Sequence, residues 1–577
     1  MPKSNRGRCC TGAERAGPVP LARCILLTWL YTAVMTKFAF LLLFALPASP
    51  QERVDLGIVD RVKTEAFENS KVMEILRNLT DVHGPRLTGS PGFEDAAQWA
   101  MSELKGYGLA NVHLEKWGPF GRAWTLEQSS AELIEPRYLQ LTAVPLAWSA
   151  STNGAVTGEL VLAPIHVSFR DGPKKFKETM DAYRAKWGGK LRGKIVLLSD
   201  AKVPAPQTNP QFKRYTAAEL ADIASAPAPA AKLTARRLED LEWPEDPAET
   251  GKFFDSLPNA LMEQLYDLYD EGVAERGAFL AKEGAAGVLL EDGRAHEGML
   301  FAEAAGGFKA AETAAPPTFV VTAEQYNRIA RLLEKKNPVR VRLSLKATAS
   351  DRDADGLNII GEIPGGDKKD ELVMVGAHFD SWHSGTGATD NGAGSAVMIE
   401  VMRILKALNL KLDRTVRIGL WGGEEEGLFG SRAYVKEHFA DPKTMRVTSE
   451  HGRLSGYFNL DNGSGKIRGV YLQGHEAMRP IFESWLAPFR DMGVTTISIR
   501  NTGGTDHLSF AAVGLQGFQF IQDPLDYGTI AHHSDMDTWD HAVPEDLMQA
   551  SAVIATLVYQ TATRPEMLPR RELPKPE

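Results

Sequence analysis

The chain has 577 residues, 43% of them hydrophobic and 24% charged, with a formal net charge of −9 and a pI near 5.9. That length exceeds what one core can fill and predicts two or three domains, while the acidic balance excludes a broad nucleic-acid-binding surface. The three cysteines are Cys9, Cys10 and Cys24, so the body of the chain can hold neither a disulfide framework nor a thiolate zinc site, and any metal there must be bound by His and carboxylates.

The chain opens on an export pattern. Met35-Thr36-Lys37 is a short basic start, 38–46 an apolar run, and Pro47-Ala48-Ser49 a small-residue exit. The run is too short to cross a bilayer and has the length of a signal h-region. Residues 1–50 therefore read as a dubious N-terminal extension plus a signal peptide, with Met35 as the start. The alternative is one signal anchor over 24–46, interrupted by Lys37. The first reading predicts a secreted, periplasmic or extracellular protein with no stable membrane association after cleavage.

Residues 54–135 begin with apolar positions at helical spacing: Val59, Val62, Phe67, Val72, Ile75 and Leu76. A Gly- and Pro-rich loop follows over 84–92, then an amphipathic helix over 93–107 and a strand around Val112-His113-Leu114. Residues 136–345 change character, with short β-like runs at 159–162, 193–198 and 287–290. Between the last two lies an Ala/Pro-rich polar stretch over 203–241, within a longer helical and low-complexity insertion near 203–270. This zone is expected to be an inserted, β-rich domain. Residues 346–565 alternate strands (372–377, 415–421, 456–460, 516–521) with helices (394–408, 431–438, 547–561), the pattern of an α/β fold: a mixed, mostly parallel sheet flanked by helices. Residues 566–577 are a tail.

Four of those strands end in, or lead to, a metal-capable group. The first ends at His378-Phe379-Asp380, the second at Glu424-Glu425, the third at Asp461, and the fourth leads after about ten residues to His532-His533. In open α/β sheets the ligand site lies beyond the carboxyl ends of the strands, so these groups converge on one rim. Asp390, in the Gly-rich loop 385–394, reaches the same rim. Each signal alone is weak; a lone His after a strand is more often structural. Together they supply an imidazole and a carboxylate for each of two metals plus a bridging carboxylate, the donor set of a two-zinc site.

These residues resemble the co-catalytic zinc exopeptidases, the family of the Streptomyces-type aminopeptidases and plasma glutamate carboxypeptidase. The resemblance is carried by 378–382 (HFDSW), 387–394 (GATDNGAG), 421–431 (WGGEEEGLFGS), Asn459-Leu460-Asp461, Gly504-Thr505-Asp506-His507 and 533–538 (HSDMDT), in family order. The loop 84–92 is similar to the family's N-terminal segment, and the stretch 193–198 to a protease-associated domain. The resemblance implies a zinc-exopeptidase fold carrying such an insert. It also implies two zinc ions per chain, a peptide substrate and a hydrolytic mechanism, and it leaves a homodimer open.

Residue by residue, the resemblance implies that Asp390 bridges both metals, His378 and Asp461 bind one, and Glu425 and His533 bind the other. It makes Glu424 the general base. Asp380 is expected to hold the His378 imidazole, and Asp537 to do the same for His533. Asp537-Thr538, four residues on, selects His533 over His532 as the ligand. That leaves His532 as a candidate donor to the oxyanion. The double His is closer to the plasma glutamate carboxypeptidase branch. Trp382 and Trp421 are expected to pack, Asp506-His507 to line the pocket or form a turn, and Tyr527 and Arg500 to be weaker substrate candidates. Aminopeptidase and carboxypeptidase remain open, as does an endopeptidase. The competing functions are a single-zinc, glutaminyl cyclase-like acyltransferase and a non-catalytic peptide-binding homologue.

Overall fold

The computed structural model describes residues 52–576 apart from 167–171, 228–234, 236, 245–252, 254–256, 258 and 351–353. The expected signal segment lies outside the described residues. Among them, no helix is long and apolar enough to cross a membrane.

Two eight-stranded sheets organise the chain from Glu52 onward. The first comprises β1 (Ala110–Gly121), β2 (Ala354–Ile363), β3 (Lys368–His378), β4 (Arg414–Trp421), β5 (Leu454–Asn459), β6 (Ile467–Tyr471), β7 (Thr496–Ser498) and β8 (Gly517–Gln522). Its order is β1-β2-β4-β3-β5-β8-β6-β7. The sheet is mixed: β4, β3, β5 and β8 run parallel at its centre, while β1–β2, β2–β4 and β8–β6 pair antiparallel. Register aligns the four parallel strands at their carboxyl ends, with His378 opposite Trp421, Gly376 opposite Asn459, and Asn459 opposite Gln519. One rim therefore collects the residues that follow.

The central strands are apolar runs because helices cover both of their faces. The helix Ala393–Ala407 packs on β3 with Val397, Met398, Ile399 and Val401 fully buried. The helix Pro544–Thr563 packs against it. Burying each such side chain contributes about 1.5–3 kcal/mol before conformational entropy is subtracted. The first turn of the Ala393–Ala407 helix comes so close to β5 that a Cβ at Gly394 would collide with Asn391 Oδ1 and the Leu460 carbonyl. Glycine there lets the loop bearing Asp390 sit directly over the strand ends.

The second sheet takes strands from Trp124–Glu135 through Arg340–Ala349 and is also mixed. The span is less purely β-rich than expected. The helices Gly172–Trp187, Asn259–Glu283 and Ala323–Glu334 accompany the sheet. The polar stretch after Val203 holds a helix, as expected of the insertion near 203–270. Thr216 and Glu219 form a reciprocal cap on the helix Ala217–Ala224. Just before it, Arg214 reaches across to Asp523 at 3.0 Å and Asp546 at 2.6 Å, tying this stretch to the first sheet's side.

Candidate metal centre

The rim of the first sheet brings the predicted residues together. His378 is the last residue of β3 and is fully buried. Its Nδ1 donates to the Asp380 main-chain carbonyl at 3.1 Å. That bond leaves Nε2 facing three carboxylates: Asp390 Oδ1 at 3.2 Å, Asp461 Oδ1 at 3.4 Å and Glu424 Oε2 at 4.0 Å. On the other side, His533 Nε2 stands 3.3 Å from Asp390 Oδ2 and 3.1 Å from Glu425 Oε2. Asp390 thus turns one oxygen to each histidine.

Two donors bonded to one tetrahedral zinc at about 2.0–2.2 Å stand about 3.3–3.6 Å apart. The observed separations fall in or just below that range. Asp390 Oδ2, Asp461 Oδ1 and Glu425 Oε1 are buried without hydrogen-bond partners, an unfavourable arrangement unless a cation satisfies them. Burial and the Asp390 charge push the Glu425 carboxyl up to about 8. Burial also raises Glu424 well above the usual carboxylate range, with His378 opposing and Asp461 and Asp506 adding to the shift. So many buried acids beside two imidazoles fit a pair of divalent cations.

Glu424 and Glu425 separate cleanly. Glu425 lies against His533, whereas Glu424 comes no nearer than 4.0 Å to the ring nitrogen of His378. His532 could compete as a ligand, since donor atoms of Asp390, His532 and His533 lie within 4.8 Å of one another. Its Nε2 is nevertheless 3.7 Å from Asp390 Oδ2, beyond the Glu425–His533 spacing. The His532 ring stacks on His533 with centroids 3.8 Å apart. Burial holds its imidazole down at about 4, so it stays neutral with one N–H to donate.

The two expected supporting carboxylates behave differently from expectation. Asp380 holds the His378 ring through its main-chain carbonyl; its own Oδ1 stands 3.6 Å away, and Oδ2 accepts from Thr88 Oγ1 and Glu425 N. The strand ends at His378, so the next two residues turn the carboxylate toward the Glu425 loop. Asp537 does not touch His533. Its carboxylate accepts from Thr389 N at 2.6 Å, Thr389 Oγ1 at 2.7 Å and Asp390 N at 3.1 Å, fixing the bridging loop instead. The group on His533 Nδ1 is Glu303 Oε1, at 2.7 Å, from the second-sheet half of the chain. No periodicity or motif in the sequence marks it.

Arg86 was equally hidden, in the turn-rich loop 84–92. Its buried guanidinium donates to the carbonyls of Phe379, Leu79, Thr386 and Gly387. Burial lowers it to about 10 while Asp537, Asp380 and Asp390 support its charge. Trp382 packs against His533, and Trp421 is buried with its indole N–H on Tyr457. His507 Nε2 meets Gln473, 34 residues earlier in the chain, and the nearby Thr502 carbonyl. The Asp506 carboxylate is buried without a partner. Tyr527 sits edge-on to His532, and Arg500 is exposed.

This geometry can be set beside known proteins. Residues 358–558 match peptidase family M28. Over that stretch the chain is similar to that family. Carboxypeptidase Q of Bos taurus is similar to this chain, at 27% identity over 520 residues covering 90% of this chain and 89% of that protein. Aminopeptidase YwaD of Bacillus subtilis is 30% identical over 220 residues, 37% of this chain and 46% of its own length. Among solved structures, a peptidase M28 precursor from Shewanella amazonensis SB2B shares the fold with a TM-score of 0.62, at 23% identity, over 90% of this chain and 98% of that one. The M28 match covers every rim residue named above, while Arg86 and Glu303 lie outside it.

Proposed function

We propose that the protein is a secreted di-zinc exopeptidase that hydrolyses short peptides. One observation carries this reading: the two oxygens of Asp390 face His378 on one side and His533 on the other, each beside a second carboxylate. His378, Asp461 and Asp390 would hold one ion, and His533, Glu425 and the same Asp390 the other. The donor set of imidazole nitrogens and carboxylate oxygens suits zinc. When bound, the pair supplies Lewis acidity toward a peptide carbonyl and toward water.

The protein's own groups do the rest. Glu424 takes the proton of the attacking water as the new C–O bond forms at the scissile carbonyl carbon. It then gives that proton to the amine as the C–N bond breaks. The neutral His532 donates toward the developing oxyanion. Trp382, packed at 7% exposure beside His533, closes one wall of the centre.

Similarity to carboxypeptidase Q over nine-tenths of the chain supports the exopeptidase class. Secretion rests on the export pattern at 35–49. The test is a dipeptide and tripeptide library with each terminus blocked in turn, assayed with and without chelator. Cleavage that needs one free terminus and is abolished by chelator supports the proposal. Internal cleavage of doubly blocked peptides, or activity indifferent to chelator, refutes it.

A further inference from the structure

The two histidines of the metal centre are held in different ways. His378 Nδ1 donates to a neutral main-chain carbonyl two residues along its own chain. His533 Nδ1 meets a carboxylate 230 residues away, Glu303 Oε1 at 2.7 Å. Glu303 cannot itself be a ligand through that oxygen, because it lies on the ring edge opposite Nε2, which faces Asp390 and Glu425.

The contact is built into the backbone. Phe301 bridges Ser534 in antiparallel fashion. Ala302 N donates to His533 O at 3.3 Å, Asp535 N to Leu300 O at 2.9 Å, and Leu300 N to Asp535 Oδ1 at 2.9 Å. Residues 300–303 and 533–535 thus form a short ladder that fixes where Glu303 meets the ring. From the other side, Ala147 N donates to the Glu303 carbonyl at 3.0 Å. Arg294 Nη2 meets Glu303 Oε1 at 3.0 Å and is itself clasped by Asp292 at 2.8 and 2.9 Å. The Arg294 guanidinium also lies over the Phe301 ring, 4.5 Å from its centroid. His533 has a left-handed backbone, φ +63°, rare for a residue with a side chain, so its ring direction depends on these tertiary contacts.

We propose that Glu303 is the positioning residue of the His533 imidazole, so that the second-sheet half of the chain sets the strength of one ion position and leaves the other alone. A carboxylate on Nδ1 fixes the tautomer that presents an Nε2 lone pair and raises its basicity. Arg294 keeps that carboxylate charged and aimed. The inference rests on the two-ion reading of the site.

The experiment is competitive chelator titration of Zn²⁺ on the full-length protein, wild type beside Glu303→Gln, Glu303→Ala and Arg294→Met. Melting of the metal-free proteins is followed in parallel. Glu303→Gln keeps the size and one acceptor but removes the charge. It should weaken one of two ion positions about 10–100-fold, leave the other within about twofold, and melt like wild type when metal-free. Glu303→Ala should weaken the same position further, and Arg294→Met less. The absorption of the Co²⁺-loaded protein should change in one band set only. Equal weakening at both positions, or none in Glu303→Gln and Arg294→Met alike, overturns the inference. A wild type that binds one ion, weakened by Glu303→Gln, leaves the inference standing and refutes the two-ion reading. One ion indifferent to Glu303→Gln refutes both.

Discussion

Replacing Arg86 by lysine keeps the charge and removes the geometry. The guanidinium reaches four main-chain carbonyls, of Phe379, Leu79, Thr386 and Gly387, at 2.7 to 3.0 Å. These acceptors surround a planar fork, whereas a lysine ammonium offers three donors from a single point. Three donors cannot serve four carbonyls, and their convergence on one point leaves about two without a partner in a site that is fully buried. Each costs about 1–3 kcal/mol, so the loss should be ~2–6 kcal/mol. With an unfolding entropy of ~2.1 cal/mol/K per residue over about 525 residues, melting should fall by roughly 2–5 °C. Activity should fall as well, because the stretch from Phe379 to Gly387 leads directly into the Asp390 turn. Scanning calorimetry and kcat/KM on a dipeptide measure both. A variant that melts within about 1 °C of wild type, with kcat/KM unchanged, would show that the fork is not what holds this loop.

Three further outcomes follow from the site and its surroundings. Glu424→Gln should lower kcat by about 10²–10⁴-fold while zinc content, read by elemental analysis, stays at the wild-type value; near-normal turnover would remove Glu424 from the proton-transfer role. Asp390→Ala should lose both ions, since the bridging oxygens serve each; a variant retaining its full metal content would contradict the bridge. His383 donates from Nε2 to the Pro145 carbonyl at 2.7 Å, and burial lowers its imidazole to about 4. Its folded pKa lies below the unfolded value, so the unfolded chain binds the extra proton first. The stability from the neutral ring is therefore complete above about pH 6.5 and drains away as pH falls toward 4. His383→Gln, which can donate to the same carbonyl, should flatten that part of the pH–stability curve in urea titrations; an unchanged slope would assign the acid sensitivity elsewhere.

The rim of the first sheet was legible because its chemistry is local. Apolar strands buried on both faces give continuous runs, and each run stops at or just before a His or carboxylate that reaches the rim, as at His378, Glu424 and Asp461. Residues 346–565 could be drawn as alternating strands and helices for the same reason. Strand β2 was not visible: Gly356, Asn358, Gly361 and Glu362 interrupt its apolar pattern. Asn358 is buried because it bonds Gly430 O and Gly422 N across the sheet, a reason that exists only after folding. Arg86 lay in a loop whose turn residues could be read, but not the carbonyls that close around it. Glu303 is a lone acid among small and apolar residues, and only the ladder between 300–303 and 533–535 brings it to His533. Asp537 sits at the sequence distance of a supporting group, yet the turn after His533 carries it to Thr389 and Asp390 instead.

That ladder also bears on synthesis. A ribosome that has released the chain as far as Asp461 has delivered Arg86, Glu303, His378, Asp390 and Glu424, a cluster rich in acids, but not the second histidine. His533 arrives 72 residues after Asp461, and its Nδ1 meets Glu303 only by pairing with a segment made 230 residues earlier. Such non-local contacts form late and slowly. The nascent chain therefore cannot close both sides of the Asp390 cluster until the segment around His533 emerges, and a fragment cut down to residues 358–558 would lack the Glu303 contact on the His533 ring.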